Sequence, residues 1–406
     1  MKKSYFLLVF LLHSICNGAF GQFVNNGTLL SIGKNTMLYV DQSYVHNFGT
    51  ILNNGEMVVT GNWTNTNVNS RVFDITSAGT NIFTNTLLQL GGSGSTQFPE
   101  LIFARNGTVS LSRNIEARIL LDLGDKEVVT GSYSLTLSNA DPASLTRTGG
   151  FINTDGGGVF SRATNSNSSY LFPLGSNTAG IFRPVNVTPK DNQSNTYDIS
   201  LINKDATNDG YSRLSKRAEV AEINDRYYYK LAQSVGVSNT DFTFFTHTRE
   251  GDYNGITSWV GGRIWEKAGL VNVQDGSYFN GALNKSLTYS LLNSNTVGIQ
   301  VPLINVPFSL AKVADVNNPL VIFNAFSPDG DGKNDRWEIK NIAGFPDNDL
   351  KIYDRSGNLI FKMAGYNDAV AWDGHNTSSG TYFYVLRVKI NSEDKYYKGA
   401  ITLIKK

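Results

Sequence analysis

Hydrophobic and polar positions alternate over short stretches along most of the chain, and turns rich in Asn and Gly separate the stretches. Alternation with a period of two residues is typical of β-strands that bury one face. Between residues 22 and 169 the longer periodicity of amphipathic helices is absent. The pattern therefore predicts an all-β protein.

Residues 22–169 repeat a unit in which a turn is followed at once by a strand. Asn-Gly supplies the positive φ angles of tight turns, and Thr, Val and Ile suit the extended segments that follow. Stacked short strands of this kind form either a β-solenoid or a meandering sandwich, and we favour the solenoid. The clearest copies are Asn26-Gly27-Thr28-Leu29, Phe48-Gly49-Thr50-Ile51, Asn54-Gly55-Glu56-Met57 and Asn106-Gly107-Thr108-Val109.

Longer strand candidates begin near Tyr170 and predict a second, sandwich-like β domain over residues 170–313. Inside it, the segment from Arg213 to Lys230 holds the densest charge cluster of the chain, with mixed signs, and is expected to form a short helix or a long loop. Residues 314–319 are polar and end in Pro319, which disfavours continued regular structure and predicts a linker.

Composition changes this picture in two ways. The chain has 406 residues, of which 40% are hydrophobic and 17% charged, so two or three folded domains are expected. The formal net charge is +1, and no run of five or more like charges occurs. The electrostatic signature of nucleic-acid binding is therefore missing, and we expect no nucleic-acid partner.

The N-terminus has the three-part layout of a secretory signal peptide over residues 1–21. Lys2 and Lys3 precede an apolar run, and a small-residue stretch ends at Gly21, where we place cleavage. The alternatives are a membrane anchor, for which the run is short, and a lipoprotein attached through Cys16, whose preceding residues do not form a lipobox. Cleavage would remove Cys16 and leave a mature chain without thiols.

Residues 320–406 are a succession of strands joined by tight turns, which predicts an Ig-like β-sandwich. The last two strands form a long closing hairpin, and its alternating aromatic residues are expected to pack against Trp337 and Trp372. The predicted strands are Trp337-Glu338-Ile339, Leu350-Lys351-Ile352-Tyr353, Leu359-Ile360-Phe361, Gly380 to Val388 and Tyr396 to Ile404.

This segment resembles the gliding-motility-associated C-terminal domain, or type B sorting domain, of proteins exported by the type IX secretion system of Bacteroidetes-type bacteria. Ser356 departs from the pattern, in which an aromatic residue is expected. Five elements occur in the family's order: Phe326-Ser327-Pro328-Asp329-Gly330-Asp331-Gly332-Lys333-Asn334-Asp335-Arg336-Trp337, Ile352-Tyr353-Asp354-Arg355-Ser356-Gly357, Trp372-Asp373-Gly374, Gly380-Thr381-Tyr382-Phe383-Tyr384, and Lys398-Gly399 before a last strand that ends in Lys405-Lys406.

The resemblance implies an export pathway and a final location. The N-terminal signal would direct the chain across the inner membrane, and the folded terminal domain would direct it through the type IX translocon in the outer membrane. The resemblance further implies a location at the cell surface or in the medium, and an outer-membrane barrel as a partner. It does not assign the function of the remaining chain.

The loop from Asp329 to Asp335 is the best candidate for a metal site. Asp329, Asp331 and Asp335 alternate with glycines, and their hard oxygen ligands suit a calcium ion. The distal bidentate glutamate of an EF-hand is missing, so that family is not indicated. The alternative is that these aspartates form Asx-turns with their own backbone and bind no metal.

No motif in the sequence indicates catalysis. His46, His247 and His375 lie outside metalloprotease spacing and outside any nucleophile elbow, so we expect no enzyme activity and no catalytic residue. The predicted function is that of an adhesin or an envelope or motility component, whose Asn- and Thr-rich surface offers contacts to glycans or proteins. The alternative is an exported polysaccharide-acting enzyme, or a carbohydrate-binding protein, on a β-helix scaffold.

Overall fold

The fold is described from a computed structural model over residues 21–177, 181–217, 219–269, 271–291, 303, 305–313, 320–390 and 393–405. The predicted signal peptide, apart from Gly21, and the predicted linker at 314–319 lie outside these residues. The chain divides into two compact units, Met1–Ile202 with Ala232–Asn239, and Asn203–Leu231 with Thr240–Lys406. The described residues contain β-strands and short 3-10 helices but no α-helix, and accordingly no helix with the length and apolarity of a membrane span.

The first unit begins with two parallel sheets whose strands alternate along the chain, which confirms the β-solenoid prediction. Each coil contributes one strand to each sheet, so a strand pairs with a strand of the next coil rather than with its neighbour in sequence. One sheet contains β1 (Gln22–Ile32), β3 (Ser43–Asn53), β5 (Trp63–Asn65), β7 (Leu87–Gly92), β9 (Gly107–Leu111), β11 (Lys126–Val129) and β14 (Phe151–Asn153). The other contains β2 (Met37–Val40), β4 (Glu56–Val59), β6 (Thr80–Phe83), β8 (Thr96–Phe103), β10 (Ile115–Asp122), β12 (Ser134–Leu137) and β15 (Val159–Thr164), and β13 (Leu145–Thr146) pairs with β10. Up to the pairs β9–β11 and β10–β12 the partner is the second strand along the chain, and β11 and β12 pair with the third, β14 and β15, because the short β13 intervenes.

Aromatic rings from successive coils stack inside the solenoid. Trp63 is fully buried and lies between Tyr44, 4.5 Å away, and Phe73, 5.7 Å away, with both pairs nearly parallel. Phe23 extends the stack onto Tyr44 at 5.6 Å. Burial of such rings contributes a few kcal/mol each, so the stack joins neighbouring coils into one core.

Buried asparagines complete the interior where the chain bends between sheets. The side-chain amide of Asn53 donates to the Thr80 carbonyl at 3.1 Å, and that of Asn65 donates to the Ser95 carbonyl at 2.8 Å. Each bond links one coil to the next and satisfies a polar group that would otherwise be costly to bury. The solenoid is thus stabilised by polar contacts as well as by its apolar core.

Glycine is required at Gly92, where φ is +117°. A Cβ atom at this position would lie 2.1 Å from the Asn65 carbonyl oxygen of the preceding coil. The left-handed conformation and the close approach both exclude a side chain. The Gly-rich segment Gly91-Gly92-Ser93-Gly94 therefore ends β7 and allows the coils to stack.

The solenoid sheet is continued by an antiparallel strand after its last coil. β15 pairs antiparallel with β20 (Asn195–Ile202). A buried arginine of β15, Arg162, donates to the carbonyls of Leu171 and Pro142 at 2.8 Å each. Burial lowers the pKa of Arg162 to about 10, so it is still protonated at neutral pH. The remaining strands here are β16 (Tyr170–Phe172), β17 (Gly175–Ser176), β18 (Ile181–Phe182) and β19 (Val185–Pro189).

The second unit begins with two antiparallel sheets that face one another, as the sandwich-like prediction expected. Tyr229 contacts Phe244 at 4.9 Å between ring centroids, and Tyr289 contacts Phe308 at 5.7 Å. The strands that this unit contributes to one sheet are β21 (Val220–Ile223), β22 (Tyr228–Val235) as far as Leu231, β24 (Gly255–Val260), β25 (Ile264–Lys267) and β28 (Val306–Val313). The other contains β23 (Thr240–Thr246), β26 (Val271–Tyr278) and β27 (Leu283–Leu291).

The charge cluster between Arg213 and Lys230 forms no helix among its described residues. It forms a loop followed by β21 and the start of β22. Arg213 forms an ion pair with Asp205 at 2.7 Å and holds the pKa of that carboxyl down at about 2, and Arg217 pairs with Glu266 at 2.7 Å. Arg213 and Arg217 thus pair with carboxylates outside the segment, and of the two predicted alternatives the structure has the loop.

Residues from 320 to 403 form a separate core within the second unit. A sheet in the order β30–β35–β34–β32–β33 makes one layer, and the short β29–β31 pair and its loops contribute the rest of the core. The strands are β29 (Val321–Ile322), β30 (Ala325–Phe326), β31 (Ile339–Lys340), β32 (Asn348–Tyr353), β33 (Leu359–Ala364), β34 (Gly380–Ile390) and β35 (Glu393–Leu403). The 3-10 helices of the described residues are Pro142–Ser144, Ala206–Asp209, Thr248–Glu250, Ile342–Gly344 and Asp368–Val370.

Candidate functional site

The core of the terminal domain is built around two tryptophans, as the sequence predicted. Trp337 is fully buried, with its ring centroid 5.0 Å from that of Tyr384, and Trp372 lies 5.4 Å from Tyr382. Tyr382 and Tyr384 alternate on β34, which pairs over its whole length with β35. The closing hairpin therefore presents its aromatic face to both tryptophans.

Tyr366 connects the two tryptophan segments and was not singled out by sequence reasoning. Its hydroxyl donates to the Trp337 carbonyl and accepts from the Trp372 backbone N–H at 2.9 Å. Asn348 fixes Tyr366 in turn, because its Oδ1 accepts from the Tyr366 N–H at 2.7 Å. Tyr366 is followed by Asn and Asp, a pattern that is typical of a surface turn. The sequence therefore did not indicate that Tyr366 is buried and bonds to both tryptophan segments.

The loop from Asp329 to Asp335 brings the three predicted metal ligands together. One carboxylate oxygen from each of Asp329, Asp331 and Asp335 lies within 4.8 Å of the others. Gly330, Gly332 and Asn334 all have positive φ, between 53° and 83°, which folds the loop back on itself. The spacing predicted from the sequence therefore gives one cluster of oxygen atoms.

Backbone amides already use several of these oxygens. The two oxygens of Asp335 accept from the Gly330 and Gly332 N–H groups at 2.6 and 2.9 Å, and Asp331 Oδ1 accepts from the Lys333 N–H at 2.8 Å. The Asp331 bond forms an Asx-turn, as in the alternative interpretation, and the two Asp335 bonds close the loop onto its own backbone. Calcium binding at Asp329, Asp331 and Asp335 stays a prediction.

Calcium is expected to raise the melting temperature of the full chain if it binds this loop, because a ligand of the native state stabilises it by mass action. Thermal melts in calcium and in chelator measure the effect. Asp331→Asn keeps an oxygen for the Lys333 N–H but loses the charge, so it should abolish the calcium response.

Asp354→Asn is the matched control for that experiment. Asp354 is a half-buried turn residue of the same domain, and hydrogen bonds from Asn358 lower its pKa without any metal. This variant should respond to calcium as the parent chain does. Identical melting temperatures of the parent chain in calcium and in chelator would remove the metal from the loop.

The three histidines of the predicted mature chain occupy unrelated places. His46 is buried in the solenoid beside Tyr44, and burial lowers its pKa. The Nδ1 of His247 accepts from the Arg249 N–H at 3.0 Å at the start of a 3-10 helix. His375 follows Asp373 in an exposed turn, where its N–H bonds to the Asp373 carboxylate.

Comparison with known families bears on the terminal domain alone. Residues 320–403 match the CHU_C type IX secretion signal domain, which confirms the predicted sorting domain. No curated protein and no solved structure gives a significant match to the chain. The signal domain indicates a protein delivered by type IX secretion, which interacts with that machinery and reaches the cell surface or the medium.

Proposed function

We propose that this exported chain is a non-catalytic surface adhesin, whose solenoid presents side chains to a partner outside the cell. The observation that supports the proposal is the joining of a parallel β-solenoid to a type IX secretion signal domain. A solenoid repeats the same outward-facing position on each coil, which gives an extended binding surface for its length. In this proposal the terminal domain directs export of the protein, and the solenoid binds the partner outside the cell.

Deletion of the chain is expected to reduce attachment of the producing bacterium to surfaces. The measurement is the fraction of cells retained on polysaccharide-coated and on bare surfaces under flow. The full chain should restore attachment when supplied again. A chain ending before residue 320 should not restore it, because it lacks the signal domain.

Unchanged attachment of the deletion strain on every surface would contradict the adhesin proposal. The alternative of a polysaccharide-acting enzyme has its own readout, since hydrolysis or elimination creates new chain ends. Incubation of the purified chain with soluble polysaccharides should create no new reducing ends. Release of reducing ends would replace the adhesin proposal with the enzyme.

We further propose that an outer-membrane barrel holds the exported protein at the cell. The terminal domain supports this proposal, because it is the part of the chain that the secretion machinery recognises. Cross-linking of surface-exposed protein followed by mass spectrometry should recover an outer-membrane barrel. Recovery of the whole protein from the medium, with none on cells, would contradict retention.

A further inference from the structure

A polar groove of about 410 Å³ lies on the solenoid, beside the bends of the first three coils. Its walls come from the turn before β2, the turn before β4 and the residues just before β6, together with β8. The side chains that matter for its chemistry are Met37, Asn54, Glu56, Thr80 and Glu100. All of them belong to the first unit.

Strand register places four of these residues in one column. Met37 pairs with Glu56, Glu56 with Thr80, and Thr80 with Glu100, each on adjacent parallel strands. Register partners in a sheet point to the same side, and Met37 and Glu56 are exposed, so the column faces outward. Adjacent strands are about 4.8 Å apart, which puts the backbones of Glu56 and Glu100 roughly 10 Å apart with Thr80 between them.

Several polar atoms of the groove have hydrogen-bonding positions that the described part of the chain does not use and that a ligand could occupy. The Glu56 carboxylate makes neither a hydrogen bond nor an ion pair with the described part of the chain. Glu100 accepts from the Thr80 hydroxyl through Oε2 at 2.9 Å, which leaves Oε1 for another donor. Asn54 uses Oδ1 to accept from the Ala78 N–H at 3.2 Å, so its amide N–H groups can donate elsewhere.

This set of groups is complementary to a sugar ring. Carboxylates accept hydrogen bonds from neighbouring hydroxyl groups, and such charge-assisted bonds are the stronger kind. The Asn54 amide can donate to a ring or hydroxyl oxygen. Met37, with 60% of its surface exposed, offers an apolar contact for the C–H face of the ring.

We propose that the groove at Glu56, Thr80 and Glu100 binds a neutral oligosaccharide. The two carboxylates repel uronic or sulfated sugars, which sets the class of ligand. The column lies along the stack of coils, so successive sugar units would meet successive strands. This inference rests on the proposed adhesin function and gives it a ligand and a site.

Titration calorimetry of the full chain tests the proposal, with cellohexaose, xylohexaose and mannohexaose as neutral probes and an oligogalacturonate as the anionic probe. At least one neutral probe should bind. Glu56→Ala and Glu100→Ala should each weaken that binding about tenfold or more, the effect of losing a hydrogen bond to a charged group. The anionic probe should bind more weakly than the neutral one.

Glu116→Ala is the matched control. Glu116 lies on β10 of the same sheet, outside the groove, and accepts from the Ser138 hydroxyl at 2.6 Å. Its replacement should leave sugar binding unchanged, and thermal melts should show that all three variants stay folded. Absence of binding by every neutral probe, equal binding by the two groove variants and the parent chain, or preference for the anionic probe would each overturn the proposal.

Cell attachment separates failure of the site from failure of the adhesin function. A deletion strain that attaches poorly and is restored by the chain carrying both groove substitutions would reject the groove and keep the adhesin. A deletion strain that attaches normally, while the purified chain binds a neutral sugar through Glu56 and Glu100, would reject the adhesin and keep the groove.

Discussion

Removal of residues 320–406 is expected to stop export and leave the truncated chain in the periplasm. The physical reason is that the matched signal domain and the core built from residues 320 to 403 are lost together, while the solenoid loses none of its strands. Cell fractionation and surface protease digestion measure the outcome. The expected change is from surface or medium to periplasm for nearly all of the protein.

The reciprocal fusion controls for misfolding of the truncated chain. Residues 320–406 attached to a fluorescent protein that carries a signal peptide should appear outside the outer membrane. A truncated chain that reaches the surface as efficiently as the full chain would contradict the role of this domain in export.

Trp337→Ala is expected to destabilise the terminal domain by about 3–5 kcal/mol, the usual cost of truncating a buried aromatic side chain. Trp337 is fully buried, and its indole N–H donates to the Phe323 carbonyl at 2.7 Å. The substitution leaves a cavity against Tyr384 and leaves the Phe323 carbonyl without this bond. Hydrogen exchange of the full chain should show faster exchange in β34 and β35, with slower exchange kept in the solenoid.

Tyr396→Ala is the control for that substitution. Tyr396 lies on β35 of the same domain, but 62% of its surface is exposed, so its loss should change exchange little. Export should follow stability, with Trp337→Ala reduced and Tyr396→Ala normal. Unaltered exchange of the hairpin in Trp337→Ala would mean that Trp337 does not hold the core together.

Local pattern was sufficient to predict strands and turns but not their partners. The Asn-Gly pairs correctly predicted the positive φ of Gly27 and Gly107, but Gly27 lies at an irregularity inside β1 rather than in a turn, and Gly55 does not have positive φ. Whether the strands pair with neighbours, as in a sandwich, or with every second strand, as in a solenoid, depends on contacts between distant residues. Trp63 packing between Tyr44 and Phe73 is such a contact, and nothing in the local sequence around Trp63 specifies it.

The two candidate sites differ in the same way. Asp329, Asp331 and Asp335 are close in sequence, so their meeting in one loop followed from spacing alone. The groove residues Glu56, Thr80 and Glu100 are separated by 24 and 20 residues, because the coils differ in length. Without a fixed repeat, their alignment becomes visible only through the strand register.

Each coil of the solenoid adds one strand to each of the two sheets, so the length of the solenoid changes in discrete steps. Gain or loss of a whole coil alters the solenoid by one strand spacing, about 4.8 Å, and leaves the other coils with equivalent neighbours. Evolution can therefore extend or shorten the reach of such a protein by duplication or deletion of short gene segments. The delivery module at the far end of the chain need not change with it.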